Sequence, residues 1–267
     1  MKNMFASILK SKSFTTVKNE GPLGSHWHKD SAGTHVYDIE HIKEQPKEID
    51  YKKLQENLYK TGEELTQQTE GQWKTLDKDE KSAVYDYTQE DHRPINKLSA
   101  EIDKYYRGDQ KRLDKDEDLD VADKMNLIDS AVSKMTLPED KTLFRAADIA
   151  NFNHPQIKEA LKAYDPKMSE SDKLKAISGL KGISFTDSAF GSTSISRNVA
   201  FAFQNERKLG SFILEITAPK GINGIWLGAR SDSPQEHEFL LPRHTKYTIT
   251  GIKHTDLGIH IQATISK

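Results

Sequence analysis

Ser233–Arg243 reads SPQEHEFLLPR. Within it, Glu236 and Glu238 stand one residue apart, and the apolar run Phe239, Leu240, Leu241 follows before Pro242. A short apolar run bounded by turn formers predicts a strand over Glu238–Leu241. Side chains alternate along a strand, so the spacing predicts that Glu236 and Glu238 point into one cleft. Two like charges on one face, beside apolar neighbours, leave two readings: a wet sheet edge or a chemical pair.

Outward from this stretch the chain changes character twice. Residues 1–48 are rich in glycine, serine, histidine and lysine and show poor apolar periodicity. They read as an arm, a docking or delivery segment, with a short hairpin anchored on Trp27 and Val36-Tyr37. His26, His28 and His35 lack a fourth ligand at metal-site spacing, so no metal is expected. Residues 49–267 read as one domain, helical at first. Tyr51, Leu54, Leu58 and Leu65 recur at helical spacing. Lys74–Glu90 can be capped by Asp77 or Asp79, and Pro94 opens a helix with Ile95, Leu98, Ile102 and Tyr105 on one face. The mixed-charge run Asp109–Asp120 reads as a solvated loop and helix entry. Val121, Met125, Ile128, Val132 and Met135 then form one apolar stripe, ended by Pro138.

From Thr142 onward short strands dominate, with helical stretches at His154–Tyr164, Ser169–Ser178 and Arg197–Gln204. The last strand, Ile259–Ile265, sets Ile259, Ile261, Ala263 and Ile265 against His260, Gln262 and Thr264. Helices first and strands later predict α+β. No G-x-G-x-x-G occurs, so any dinucleotide site here is not of the Rossmann kind.

Composition narrows the classes further. The chain has 267 residues, a net charge of -2 and 30% charged residues. Charge this balanced argues against a nucleic-acid partner held by bulk electrostatics. With no cysteine there are no disulfides and no thiolate metal ligands. MKNMFASILK is too short and interrupted for a signal-peptide apolar region, and no run is long enough to span a bilayer. The expectation is synthesis in the cytoplasm without membrane insertion, with any export by a separate route.

Two further motifs join E-x-E. Arg145 interrupts the apolar run Leu143-Phe144-Arg145-Ala146-Ala147, and Ser192-Thr193-Ser194 follows an apolar run that ends in a turn. In this order, Arg, S-T-S and E-x-E resemble the arginine-type mono-ADP-ribosyltransferases. The resemblance is to the bacterial exoenzyme branch, which includes the enzymatic components of binary actin-modifying toxins. Tyr87-Thr88, Ile95-Asn96-Lys97-Leu98 and Phe201-Ala202-Phe203 add to it, and it covers about Leu65 to Lys267.

This resemblance implies two antiparallel sheets facing across an NAD cleft, with flanking helices, and transfer of ADP-ribose to arginine of a target protein, actin by analogy alone. NAD would be a substrate, with no metal. Cleavage of the nicotinamide bond passes through an oxocarbenium-like state, which Glu238 would stabilise. Glu236 would orient or deprotonate the acceptor. Glutamate there goes with arginine acceptors, glutamine with the asparagine-modifying, Rho-directed branch. Gln235 lies three residues before Glu238, so Glu236 is taken as the matching position.

Arg145 would hold an NAD phosphate through its planar fork, although Ala146 replaces the second basic residue that many relatives carry. Ser192 would tie its strand to Glu238, while Thr193 and Ser194 support the cleft floor. Phe203, or Phe201, would stack on nicotinamide, Arg207 would reach a phosphate, and Tyr87 and Asn96 would lie near the nucleotide. Leu227–Gln235 would meet the target, and residues 1–48 a delivery partner. Each has a plainer reading: Arg145 paired with a buried carboxylate, the aromatics as core, Glu238 on an edge strand. An NAD glycohydrolase and an inactive adaptor or phage structural component with the same fold are the alternatives.

Overall fold

The computed structural model describes residues 27–29, 35–37, 51–105, 116–147, 154–163, 165, 167–206, 212–255 and 258–266. Two units divide the chain, Met1–Tyr51 and Lys52–Lys267. In the first, β1 (Trp27–Lys29) and β2 (His35–Tyr37) pair antiparallel with Trp27 opposite Tyr37. This is the hairpin that the sequence suggested.

The second unit starts helical. After α1 (Tyr51–Lys74), Asp77 opens α2 (Lys78–Asp86) with a full capping box. The Asp77 carboxylate accepts from Glu80 N at 2.8 Å, and Glu80 returns the bond to Asp77 N at 3.0 Å. The expected helix through Glu90 instead widens into a π turn at Tyr87–Asp91 before α3 (His92–Tyr105). Such turns are frequent at functional sites. The helix α4 (Asp116–Lys134) carries the apolar stripe. Met125, Ile128 and Val132, with Met135 just beyond, are buried in a cluster with Val84, Tyr87, Ile95, Phe190 and Leu240. Among the described residues, no helix is long and apolar enough to cross a membrane.

The strands that follow are β3 (Lys141–Ala147), β4 (Ser184–Asp187), β5 (Gly191–Ser194), β6 (Phe212–Ala218), β7 (Ile225–Trp226), β8 (Glu238–Leu241), β9 (Thr245–Thr255) and β10 (Gly258–Ile265). Between them lie α5 (Pro155–Ala163), α6 (Glu170–Ser178), capped by Ser169 as read from the sequence, and α7 (Arg197–Glu206). Helices then strands give the α+β class. Where two facing sheets were expected, the strands join in one eight-stranded order, β4-β9-β10-β6-β3-β5-β8-β7. Within it β3 meets β5 through the pair Phe144↔Ser194. One pair, β6 with β10, is parallel, where antiparallel sheets were expected.

Burial explains two departures from simple alternation. Ile213 is buried along with Phe212, Leu214 and Ile216, because β6 is covered on both faces. His260, expected on the wet side of β10, is 1% exposed, its ring nitrogens 3.3 and 3.4 Å from Arg197 Nη2 on α7. The strand β8 is likewise buried on both faces. Phe239 and Leu241 join the cluster containing Leu143, Trp226 and Tyr247, whereas Leu240 joins the helical one. The E-x-E stretch therefore enters the centre of the unit and is no wet edge.

Candidate active site

The strands β5 and β8 pair antiparallel, Ser194 opposite Glu238 and Ser192 opposite Leu240. Ser192 and Glu238 share a face along the diagonal, within reach of side chains. Ser192 Oγ donates to Glu238 Oε1 at 2.6 Å. Thr193 Oγ1 donates to Phe239 O at 2.5 Å, and Ser194 Oγ to Glu236 O at 2.6 Å. Each hydroxyl of S-T-S thus fixes a different part of the E-x-E segment, one its carboxylate and two its backbone. Burial pushes the Glu238 carboxyl up to about 7, with the Ser192 bond pulling the other way.

Arg145 projects from β3 with a nearly buried side chain, and its Nη1 donates to Asp187 Oδ2 at 2.5 Å. Burial alone would lower its affinity for a proton. The charge and hydrogen bond of Asp187, together with the nearby Tyr247 and Tyr87 oxygens, outweigh that, so the guanidinium is held firmly charged. Its five N–H donors exceed what one carboxylate contact uses. Tyr247 stacks on Phe185 at 5.1 Å. A Cβ at Gly191 would stand 3.3 Å from both Arg145 Nη1 and Tyr247 Oη, and 3.1 Å from Leu241 Cβ. Glycine at this position lets β5 run close against the arginine.

Tyr87 and Asn96 come from the π turn and α3. Asn96 Nδ2 donates to Tyr87 Oη at 3.0 Å, and its Oδ1 accepts from Phe190 N at 3.2 Å. Burial, then the nearby Glu238 charge, pushes the Tyr87 phenol up to about 12. Asn96, Ser192 and Arg145 pull the other way. Tyr87, Asn96, Arg145, Ser192 and Glu238, scattered over the sequence, therefore form one electrostatic neighbourhood.

Glu236 departs from the period-two expectation. Pro234–Glu236 is a 3₁₀ turn, and His237 takes the left-handed conformation at φ 46, ψ 51. The strand begins only at Glu238, so alternation does not govern Glu236 or Gln235. A proline at the first turn position favours this geometry. Gln235 is exposed and Glu236 half-buried. The segment before them is pinned down. Trp226 Nε1 donates to Thr66 Oγ1 at 2.9 Å. Arg230 donates to Glu70 Oε2 at 2.8 Å and to Thr69 Oγ1 at 3.1 Å, and lies over the Trp73 ring. On the other flank Asp232 N donates to Thr88 Oγ1 at 3.0 Å.

Phe201 and Phe203 are half-buried on α7, and Arg207 lies outside the described residues. Asp187, Tyr247 and His237 are members of the neighbourhood that sequence reasoning passed over. For Asp187 a signal existed: Phe185 and Asp187 share a face of a short strand by alternation, and an acid on an apolar face needs a cation.

Residues 50–266 match the profile of the ADP-ribosyltransferase exoenzyme family. No protein of curated function matches the chain. Among solved structures, Plx2a, a toxin of Paenibacillus larvae, is similar at 24% identity and TM-score 0.59, over 79% of this chain and 96% of its own. An ADP-ribosyltransferase of Clostridium botulinum is similar at 25% identity and TM-score 0.57, over 77% and 96%. The Vis toxin of Vibrio splendidus, also solved with agmatine, shows 18% identity and TM-score 0.56, over 84% and 89%. At such identities Plx2a and Vis speak to the fold, whereas the profile spans nearly the whole second unit. The chain belongs to the ADP-ribosyltransferase exoenzyme family.

Proposed function

We propose that this protein transfers ADP-ribose from NAD to an arginine side chain of a protein. The observation carrying the proposal is Glu238, buried, bound by Ser192, and preceded at E-x-E spacing by a half-buried Glu236. ADP-ribosyltransferases use NAD as substrate, and the residues suit it. Arg145 offers a charged fork for a diphosphate, and Glu238 offers a fixed carboxylate in a site of low dielectric. A preorganised charge of that kind stabilises a developing cation.

In the proposed reaction the bond between ribose C1′ and the nicotinamide nitrogen breaks, and its electron pair leaves with nicotinamide. Glu238 faces the oxocarbenium-like carbon in its ionised form. A guanidinium nitrogen of the acceptor forms the new bond, and Glu236 takes its proton. Ser192 holds Glu238, and Tyr87 and Asn96 line the nucleotide side. We assign Phe203 or Phe201 to nicotinamide, Arg207 to a phosphate, and residues 1–48 to docking or delivery. Agmatine, seen bound to Vis, carries the same guanidinium as arginine and supports the acceptor assignment.

The test is incubation with NAD and agmatine, or with a cell extract, followed by mass spectrometry. The expected result is an ADP-ribosyl adduct that hydroxylamine removes. Nicotinamide release without any adduct would make the protein an NAD glycohydrolase. A hydroxylamine-stable adduct would exclude arginine.

A further inference from the structure

His237 is the middle residue of E-x-E, and the proposed reaction gives it no part. Its backbone is left-handed, a conformation that residues other than glycine rarely adopt. The residue is 5% exposed. Tyr59 of α1 meets its ring edge-on at 5.1 Å between centroids, with the planes at 70°. Gly62, one turn further along α1, lies so close that a Cβ there would stand 3.0 Å from His237 Nδ1. The helix has no side chain where the imidazole sits.

The backbone around the ring is tied at each step. Glu236 O accepts from Ser194 Oγ at 2.6 Å, His237 N donates to Pro234 O at 3.2 Å, and His237 O accepts from Ile195 N at 3.3 Å. Glu238 O accepts from Leu227 N at 3.0 Å. The left-handed residue is what separates a strand-held Glu238 from a turn-held Glu236, and its ring leans on α1.

We propose that His237 is a positioning residue whose ring, seated on Gly62 and Tyr59 of α1, holds the left-handed turn that presents Glu236 to the acceptor. It rests on the assignment of Glu236 to the acceptor step. Removing the ring loosens Glu236 and leaves Glu238 in β8, so acceptor transfer suffers more than NAD cleavage.

The test uses the full chain as wild type, His237→Gly, Gly62→Ala and the double variant. Two rates are measured: transfer to agmatine, and nicotinamide release without acceptor. Glycine accepts the left-handed conformation freely, so His237→Gly removes the ring without adding backbone strain. Small misplacements of a catalytic group cost up to ~10²-fold, so transfer should fall roughly 10- to 100-fold relative to release. Gly62→Ala strengthens the helix yet pushes on the ring by a few tenths of an ångström. It should shift the same ratio in the same direction, by less. In the double variant the imidazole atoms are gone, and Trp226 Cζ2 stands at an ordinary 3.5 Å from the added Cβ, so the alanine should cost nothing more. The two effects are then non-additive, as for residues in contact.

An unchanged ratio in His237→Gly overturns the proposal, as does equal loss of both rates or strict additivity in the double variant. Wild-type protein that releases nicotinamide but transfers nothing to agmatine would instead bring down the acceptor assignment, and this proposal with it.

Discussion

Glu238 and Glu236 are neighbours in sequence but belong to regions held in different ways. Glu238 lies in a strand buried on both faces, paired with β5 and bound through its carboxylate. Glu236 lies in a 3₁₀ turn fixed through its backbone carbonyl and by a left-handed residue leaning on α1. The strand region supplies a fixed charge of shifted pKa. The turn region supplies a half-buried carboxylate whose position depends on packing elsewhere. In the proposed reaction this division has a use, because only the acceptor side has to meet a variable partner.

Four substitutions probe the two sides, in order of expected size. Asp187→Ala leaves Arg145 as an uncompensated buried charge, which should cost ~3–5 kcal/mol of stability in denaturant unfolding. A loss below about 1 kcal/mol would show that the pair is not structural.

Glu238→Gln probes the cost of the strand-held charge. Because the folded pKa is raised from 4.5 to about 7, the native state binds more protons than the unfolded chain across that window. Wild-type stability should therefore fall as pH rises from 4.5 to about 7. At about 1.4 kcal/mol per pH unit, the penalty at pH 8 is at most about 3–4 kcal/mol. Glu238→Gln should escape it and be the more stable protein at pH 8, a common trade of stability for activity. Equal pH dependence in thermal unfolding would contradict the shifted carboxyl. For the same reason kcat/KM for NAD cleavage should rise with pH through about 7.

Arg145→Lys keeps the charge and loses the fork. KM for NAD should rise about tenfold, more than kcat falls, equivalent to ~1.4 kcal/mol of binding. An unchanged KM would leave Arg145 as the partner of Asp187 alone. Thr66→Val, on the turn-held side, removes the acceptor of the buried Trp226 indole N–H, at a cost of ~1–2 kcal/mol. It should also lower transfer more than nicotinamide release, since α1 braces the turn. A change confined to stability would sever α1 from the acceptor side.

Much of this was legible in the sequence because the signals are local. Asp77 with Glu80, Ser169 with Asp172, and the stripe on α4 each act within one or two turns of helix. The strand Glu238–Leu241 and its dependence on Ser192 came from motif order. What stayed hidden depends on contacts between distant segments. The pairing of Arg145 with Asp187 requires β3 and β4 to be brought together, 42 positions apart in sequence. Burial of His260 goes with Arg197 of α7 lying against its ring, 63 positions away in sequence, and the parallel β6–β10 pair depends on topology alone. Alternation fails for Glu236 because it lies two residues ahead of the strand, in a 3₁₀ turn. The left-handed His237 between turn and strand has no signature, since histidine is not a turn former in the way that glycine is.

The division between the two glutamates is tested most directly by Glu238→Gln and Glu236→Gln assayed side by side for nicotinamide release and for transfer to agmatine. The substitutions are alike in size and each removes one charge. Glu238→Gln should abolish both activities. Glu236→Gln should lower transfer by ~10²–10⁴-fold, the usual contribution of a general base, while nicotinamide release persists. Loss of both activities to the same extent in the two variants, or their retention in both, would contradict it.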